Sequence, residues 1–243
     1  MKAMRIPHQR GITVVMHRLL PVVLTILSLA VLAQAQGLKT LQLNEPDKKR
    51  GLPFMETLSV KASAQEWSDK ELNLQDLSDL MWAANGINRP ESKKYTASSA
   101  LNAHDVDLYL FMKDGVYIYD ADSHTLKAVL DGDFRSHVMM VPLSRSGDVE
   151  RPPPPLRPAV SDPPVQIILI SDCSRFRAGT EEQKYEWGAI DAGIVSQNIS
   201  LFCAATGLKT RPRALIDREE IRKLLNLKET QYVFLNHPVG YAK

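Results

Sequence analysis

Residues Tyr185–Thr210 read YEWGAIDAGIVSQNISLFCAATGLKT, and this stretch decides the fold. Its apolar and small side chains recur on all sides of one predicted helix, and a helix that is apolar all round is a buried one. Gly207 follows the last helical position, where glycine commonly ends a helix. Gly193 lies inside the helix at a cost of about 1 kcal/mol relative to alanine. The close approach of another helix or of a ligand would explain it.

Strand signals lie on both sides of this helix. Residues Val165–Ser171 (VQIILIS) form a nearly continuous apolar run, which predicts a strand covered on both faces. Asp114-Gly115 is a hairpin signal between two runs of β-forming residues. The other predicted strands are Val106–Met112, Val116–Tyr119 and Tyr232–Leu235.

Two shorter helices are predicted between the strands. The segment Leu74–Ala84 is apolar on one face, and Asn73 is placed to cap its start. Asp217-Arg-Glu-Glu220 is a capping box for a helix that continues through Leu225. Because helices and strands interleave, we predict the α+β class, with a sheet sandwiched by helices.

The first 35 residues predict a signal peptide. A basic flank precedes the apolar run Leu19–Leu32, which is short for a bilayer span, and Ala33-Gln34-Ala35 forms a small-x-small cleavage site. We therefore expect export to the periplasm or the medium, with no stable membrane span after cleavage. Residues 36–55 are polar and predict a flexible tether, so the domain itself is expected over residues 56–243.

The proline-rich segment 151–164 predicts an extended surface linker within that domain. Its run of four consecutive prolines fits neither a helix interior nor a central strand. A spacer is the simpler interpretation than a ligand for a proline-reading domain.

Composition and motifs exclude several functions. The 30 basic and 28 acidic residues leave a net charge of +2, without the clustered basic face of a nucleic-acid-binding protein. The nucleophile elbow of a hydrolase, the dinucleotide fingerprint and the spacing of a zinc site are absent from the sequence. Export permits a disulfide between Cys173 and Cys203, but their spacing does not argue for pairing, so two free, partly buried thiols are the simpler interpretation. His104-Asp105 predicts a surface loop pair, and His237 a hydrogen-bonded structural residue.

The segment Lys61-Ala-Ser63-Ala-Gln65-Glu-Trp67 resembles the Arg-x-Ser-x-Arg/Lys-x-Phe pattern of FMN-dependent nitroreductases. In that family these side chains hold the ribityl phosphate of the flavin, since a phosphate needs fixed positive charge and hydrogen-bond donors. The resemblance implies that Lys61 and Ser63 bind the phosphate and that Gln65 replaces the second cation.

The segment Thr96-Ala-Ser98-Ser99-Ala-Leu-Asn102 is similar to the family's Pro-Ser-x-x-Asn loop, which reaches the flavin of the other subunit. The resemblance implies that Ser98, Ser99 and Asn102 satisfy the polar edge of the ring. From the residues alone, an ordinary serine-rich helix cap is the other interpretation.

The long helix and the turn after it resemble the dimer core of the same family. The resemblance implies that Gly207 and Leu208 bring backbone against the isoalloxazine ring. It also implies that the C-terminal cation, here Lys243, reaches the phosphate. Residues 80–88 (LMWAANGIN) are similar to the branch that includes the SagB-type azoline-forming dehydrogenases. The resemblance covers residues 54–241 except for a gap at 134–164.

The resemblance implies a nitroreductase-like fold, with a mixed, mostly antiparallel sheet flanked by helices and a long central dimer helix. It implies a homodimeric FMN-dependent oxidoreductase, with NAD(P)H as an electron donor. Hydride would pass through flavin N5 to a nitro, quinone or similar small-molecule acceptor in a ping-pong cycle. Two alternatives stay open. One is a degenerate, non-catalytic flavin-binding member, and the other is a SagB-like dehydrogenase that oxidises a peptide or small molecule.

Overall fold

The fold is known from a computed structural model that describes residues 37–138 and 163–243. The predicted signal peptide (residues 1–35) and the proline-rich linker as far as residue 162 lie outside the described residues. Within the described ranges, no helix combines the length and apolar character that a membrane span requires.

A seven-stranded antiparallel sheet forms the centre of the domain. Its strands, in chain order, are β1 (Leu41–Gln42), β4 (Val106–Phe111), β5 (Gly115–Asp120), β6 (Thr125–Asp131), β7 (Val165–Asp172), β8 (Lys209–Thr210) and β9 (Gln231–Gly240). They lie in the order β1-β6-β5-β4-β7-β9-β8. Strands β2 (Ile87–Arg89) and β3 (Lys94–Tyr95) pair only with each other. The predicted α+β class is confirmed, and the pairing is antiparallel rather than mixed.

Four helices accompany the sheet in the described part of the chain. They are α1 (Phe54–Val60), α2 (Leu74–Asn85), α3 (Glu181–Thr206) and α4 (Arg218–Leu224). Helix α3 begins with a capping box between Thr180 and Gln183 and ends at Gly207, whose φ of 80° is left-handed. The predicted caps at Asn73 and Asp217 are confirmed, because each side chain accepts a hydrogen bond from its N3 amide.

Strand β7 is covered on both faces, as its apolar run predicts. All eight of its residues are buried. Ile167 and Leu169 pack in the cluster that contains α2 and α3, whereas Ile168 and Ile170 pack in the cluster that contains α4. Successive side chains of a strand point to opposite faces, so a strand between two helical layers is apolar at nearly every position.

Helix α3 lies directly on β7 at Gly188. A Cβ at this position would lie 2.4 Å from the Ser171 Oγ and 3.0 Å from the Ser171 Cβ. No side chain fits at such distances, so glycine is what allows the helix and strand to approach this closely.

The N-terminal part of the described chain differs from the predicted flexible tether. Leu43 is buried in the core, and the Arg50 guanidinium lies 2.7 Å from carboxylate oxygens of both Asp76 and Asp79 on α2. Sequence reasoning missed this packing because the segment covers α2 through ion pairs and hydrogen bonds, not through an apolar pattern. The compact unit accordingly begins at Leu38.

Two strand predictions are corrected. The strand predicted over Tyr232–Leu235 is longer in the structure, because β9 continues to Gly240. Pro238 lies within it, opposite Gln166 of β7, whereas β8 pairs only with Val239 and Gly240. Strand β6 was not predicted, since its residues TLKAVLD carry few β-forming side chains and lie at the outer part of the sheet.

Candidate functional site

A groove of about 580 Å³ opens between the Lys61–Trp67 segment, the end of α3 and the C-terminus. Four of the predicted site residues line it: Gln65, Gly207, Leu208 and Lys243. Ser200 and Cys203 of α3 also contribute to the lining and are themselves buried. The fold therefore brings together segments that lie far apart in the sequence.

Hydrogen bonds fix the Lys61–Trp67 segment along β8. The Ala64 amide donates to the Thr210 carbonyl oxygen at 2.9 Å, and the Trp67 indole Nε1–H donates to the Lys209 carbonyl oxygen at 2.9 Å. Ala62 and Ala64 line the groove, whereas Lys61 and Ser63 are exposed beside them. The two predicted phosphate ligands thus lie next to the groove but outside its lining.

Positive charge predominates at the groove. Lys209 and Lys243 line it, and Lys61 lies close enough to His237 to lower the pKa of that imidazole. Glu66 has the single acidic side chain among the lining residues, and its Oε2 lies 3.8 Å from the Lys243 Nζ. Both side chains of this pair are mostly exposed, so the pair leaves Lys243 able to move toward an anion at little cost.

His237 is a buried, neutral residue behind the groove, as predicted. Its Nε2 lies 2.7 Å from the Ser196 Oγ, and its Nδ1 lies 3.1 Å from the Thr210 Oγ1. Thr210 Oγ1 donates to the Pro238 carbonyl oxygen, so His237 Nδ1–H donates to Thr210 and Nε2 accepts from Ser196. Burial, assisted by Lys61, lowers the pKa of His237 to about 3. The imidazole therefore stabilises the position of β8 through its hydrogen bond to Thr210, and it is unsuited to proton transfer at neutral pH.

The loop that carries Ser98, Ser99 and Asn102 does not line this groove. Ser98 and Asn102 are exposed, and the Lys94 ammonium donates to the Asn102 Oδ1. Ser99 Oγ accepts from the His104 amide at 2.9 Å. One chain thus brings together two of the three predicted segments and places the third elsewhere.

This loop is strained. Leu101, Asn102 and His104 have left-handed φ values of 52°, 55° and 49°, although none is glycine. Each such residue costs on the order of 1–3 kcal/mol and persists only where its surroundings over-determine it. Here the Tyr95 ring stacks on the His104 ring with centroids 4.1 Å apart, and Arg175 Nη1 donates to the His104 carbonyl oxygen at 2.7 Å. Such strain is typical of ligand clamps and switch regions.

Sequence reasoning missed two buried carboxyl groups next to the loop. Asp105 was predicted at the surface, but it is fully buried, and Asp191 of α3 is 2% exposed. Burial, together with a hydrogen bond to Asp191, raises the pKa of Asp105 to about 7, and burial raises the pKa of Asp191 as well. An aspartate with small and apolar residues directly before and after it (AIDAG) was the signal available in the sequence.

The cysteines and the metal-binding side chain types do not form a further reactive site in the described residues. Cys173 and Cys203 are free and buried, as predicted, and burial raises the pKa of both thiols. Over residues 37–138 and 163–243, no group of three or more His, Cys, Asp or Glu side chains is arranged to hold a metal ion.

Apolar side chains are exposed on both α1 and α3. Phe54 is 64% exposed, Met55 75% and Ile190 60%. A Cβ built on Gly193 of the same helix would have no heavy atom within 4 Å. Large exposed apolar patches mark interaction surfaces. Among the described residues, no packing contact explains why position 193 is a glycine.

The groove fits the flavin mononucleotide that the resemblance implies. Its volume lies in the usual range for small-molecule sites, about 300–1,000 Å³. The lysine side chains at its rim supply charge for a phosphate. The space around Gly207 is open, again with no heavy atom within 4 Å of a built Cβ, so a flat ring can approach the main chain there.

Comparisons with known proteins agree with this geometry. A family model described as "Nitroreductase family" matches residues 60–241. The chain is 24% identical over 207 residues to a Methanocaldococcus jannaschii protein named "Putative nitroreductase MJ1384", a match that covers 83% of this chain and 96% of that protein.

Solved structures show the same fold. A crystal structure of a "putative nitroreductase" from Ralstonia eutropha JMP134 superimposes with a TM-score of 0.73 at 26% identity, covering 86% of this chain and 92% of that one. A chain of the E. coli microcin synthetase McbBCD complex with truncated pro-MccB17 superimposes with a TM-score of 0.61 at 18% identity, covering 83% and 77%.

Proposed function

The chain belongs to the nitroreductase family, and from that premise we propose that it is an FMN-dependent oxidoreductase that works as a homodimer. Family membership supports an oxidoreductase. The finer proposal is hydride transfer from NAD(P)H to a nitro, quinone or similar small-molecule acceptor. The groove carries this proposal, because it joins the Lys61–Trp67 segment, the Gly207 turn and Lys243.

The lysines beside the groove would hold the phosphate of the flavin. Gln65 lacks the charge of the family's second cation, but Lys209 and Lys243 line the same groove, and Lys61 is exposed next to it. Ammonium groups bind phosphate as point charges and do not form the two-pronged contact of arginine. The loss of one cation at position 65 is therefore offset by charge from β8 and the C-terminus.

When bound, the flavin supplies two-electron hydride chemistry, and the protein supplies binding, orientation and electrostatics. Gly207 and Leu208 would present main chain to the ring, and the His237–Thr210 bond holds the adjoining strand in place. No acid or base is assigned to the chain, because His237 is fully buried with both ring nitrogens hydrogen-bonded.

A homodimer would complete the site. The Ser98–Asn102 loop is exposed and outside its own chain's groove, which suits a loop that serves the flavin of a second copy. Ile190 and Gly193 on α3 would lie at the two-fold interface, where a glycine permits two helices to approach closely. We also propose export through residues 1–35. Where NAD(P)H is scarce, a reduced quinone, a partner protein or a substrate that is oxidised would then reduce the flavin.

The test is the visible spectrum of the purified mature chain before and after addition of FMN. Flavin absorption that remains with the protein supports the proposal, and a colourless protein that does not bind added FMN refutes it. Anaerobic bleaching by NADH or NADPH then separates a reductase from a non-catalytic flavin-binding protein and from a dehydrogenase reduced by its own substrate.

The Lys61→Ala variant should weaken FMN binding by about 1–3 kcal/mol, the range for a hydrogen bond to a charged group. That corresponds to roughly a 5- to 150-fold higher Kd. Lys223→Ala is the matched control, because Lys223 is an exposed lysine on α4, which packs against the opposite face of the sheet from α3. Fluorescence titration measures both, and equal affinities would remove Lys61 from the phosphate site.

A further inference from the structure

Two buried carboxyl groups meet where the strained loop joins the long helix. Asp105 immediately precedes β4 and is 0% exposed, and Asp191 on α3 is 2% exposed. The two carboxyl groups face each other closely enough for each to affect the pKa of the other. Two carboxylates so close together and so far from water cannot both be ionised without a large cost.

The hydrogen bonds around the pair require a proton. Asp105 Oδ2 accepts from the Ser171 hydroxyl, and Asp191 Oδ2 accepts from the Ala100 amide at 2.8 Å. Asp105 Oδ1 is buried with no donor among the described residues. An ionised carboxylate only accepts. Asp105 Oδ1 and Asp191 therefore bond only if one of them is protonated. A proton on Asp105 Oδ1 would supply the missing hydrogen bond, with the Asp191 carboxylate as its acceptor.

The charged groups that face the pair do not favour a second negative charge. Arg175 interacts with Asp105, but its Nη2 lies 2.6 Å from the Asp107 Oδ2 and its Nε lies 3.9 Å from the Asp172 Oδ2. Burial lowers the pKa of His104, so this imidazole is neutral near pH 7. Burial raises the pKa of the Cys173 thiol, which also faces Asp105.

Asp191 is also a main-chain anchor of the strained loop. Its bond to the Ala100 amide lies just before Leu101 and Asn102, both in left-handed conformations. Strain of this kind persists only while such anchors hold. If both carboxyl groups ionise, they repel each other. The loop should then move rather than helix α3, because the loop has fewer restraints than this 26-residue helix.

We propose that a proton shared by Asp105 and Asp191 positions the loop of residues 97–102, and that loss of this proton frees the loop from helix α3. Asp105 and Asp191 are thus positioning residues for Ser98, Ser99 and Asn102. The effect on the flavin rests on the proposed function, whereas the shared proton and the anchored loop do not. Because burial raises the pKa of Asp105 to about 7, the change falls near neutral pH.

Carboxyl NMR of the full chain, labelled with ¹³C at the aspartate side chains, tests the shared proton. One carboxyl signal should titrate near neutral pH in the wild type. Asp105→Asn should abolish this transition, because its amide donates to Asp191 at every pH. Asp131→Asn is the control and should retain the transition, since Asp131 is an exposed residue of β6, two strands away from β4 in the sheet. Titration of both Asp105 and Asp191 as ordinary surface carboxylates, or a transition that survives in Asp105→Asn, overturns the proposal.

Hydrogen exchange at the Ala100 amide tests the anchored loop. Its protection factor should drop about tenfold above the transition in the wild type and stay constant in Asp105→Asn, as expected for one hydrogen bond of about 1.4 kcal/mol. Protection that is independent of pH in the wild type refutes the release of the loop. If Asp105→Asn fails to fold, Asp191→Asn takes its place, because its oxygen still accepts from Ala100 while its amide donates to an ionised Asp105.

FMN titrations on either side of the transition separate this proposal from the proposed function. The wild type should bind FMN about tenfold more weakly on the alkaline side, and Asp105→Asn should not change. If the carboxyl and amide signals behave as expected but FMN affinity does not vary with pH, the shared proton stands. The placement of this loop at the flavin is then refuted.

Discussion

Helix α3 contains two glycines with opposite surroundings, and alanine at each should have opposite effects. At Gly188 a Cβ would lie 2.4 Å from the Ser171 Oγ and 3.4 Å from the Phe234 Cε2. Ser171 cannot turn away without breaking its bond to Asp105. Overpacking costs about 1–3 kcal/mol and the lost bond about 1 kcal/mol, against a helix-propensity gain of about 1 kcal/mol. Gly188→Ala should therefore lower the free energy of unfolding by about 1–3 kcal/mol.

Gly193 faces outward, where a Cβ meets no heavy atom within 4 Å. In a single chain, Gly193→Ala should raise the free energy of unfolding by about 1 kcal/mol. At a two-fold interface the added methyl appears twice. At about 1–3 kcal/mol for each copy, the dimer weakens by about 2–6 kcal/mol, a rise in dissociation constant from roughly 30-fold to 10⁴-fold.

Sedimentation velocity over a concentration series measures the dimer, and urea unfolding at concentrations below dissociation measures the chain. Each variant is the control for the other, because both replace glycine with alanine in one helix. A Gly193→Ala chain that dimerises like the wild type would show that this face of α3 is not the interface. A Gly188→Ala chain as stable as the wild type would refute the packing of α3 on β7.

Two further predictions concern buried groups. His237 has a pKa lowered to about 3 by burial. The folded chain thus binds that proton less readily than the unfolded chain, and the free energy of unfolding should fall as pH drops from about 6.5 toward 3, by at most about 1.4 kcal/mol per pH unit. Urea midpoints across this range should show a shallower dependence in His237→Gln, and an unchanged slope would contradict the assignment. Cys173 and Cys203 are both buried, so a thiol reagent should label neither in the native protein and both in urea; rapid native labelling would disprove their burial.

The parts of the fold that local patterns encode were predictable. The cap at Asp217, the glycine at 207 and the apolar run of β7 each lie within a few residues of the structure they specify. The same holds for the groove, because the Lys61–Trp67 segment and the Gly207 turn carry recognisable patterns of their own.

The acid pair and the N-terminal packing could not be predicted in this way. Ala100 and Asp191, which hold each other through one hydrogen bond, are 91 positions apart. Arg50 and Asp79 are 29 positions apart, and the segment around Arg50 is as polar as a linker. Polar residues in such contacts resemble surface residues in sequence, because burial depends on partners that only the fold brings near. The orientation of Lys61 and Ser63 beside the groove likewise depends on how the extended segment pairs with β8.

The two margins of the sheet are closed to further strands. Strand β1 pairs with β6 only at Thr125 and Leu126, and the exposed side chains of Lys127 and Asp131 place charge along the rest of β6. At the opposite margin, the amide of Ala64 occupies the outer side of the two-residue strand β8. A long unpaired margin is a template for a strand from another molecule, and a contact of that kind repeats without limit. The dimer that we propose through the helical face would be limited to two copies instead. In a two-fold contact the same surface of each copy is buried, so none of it remains free for a third copy.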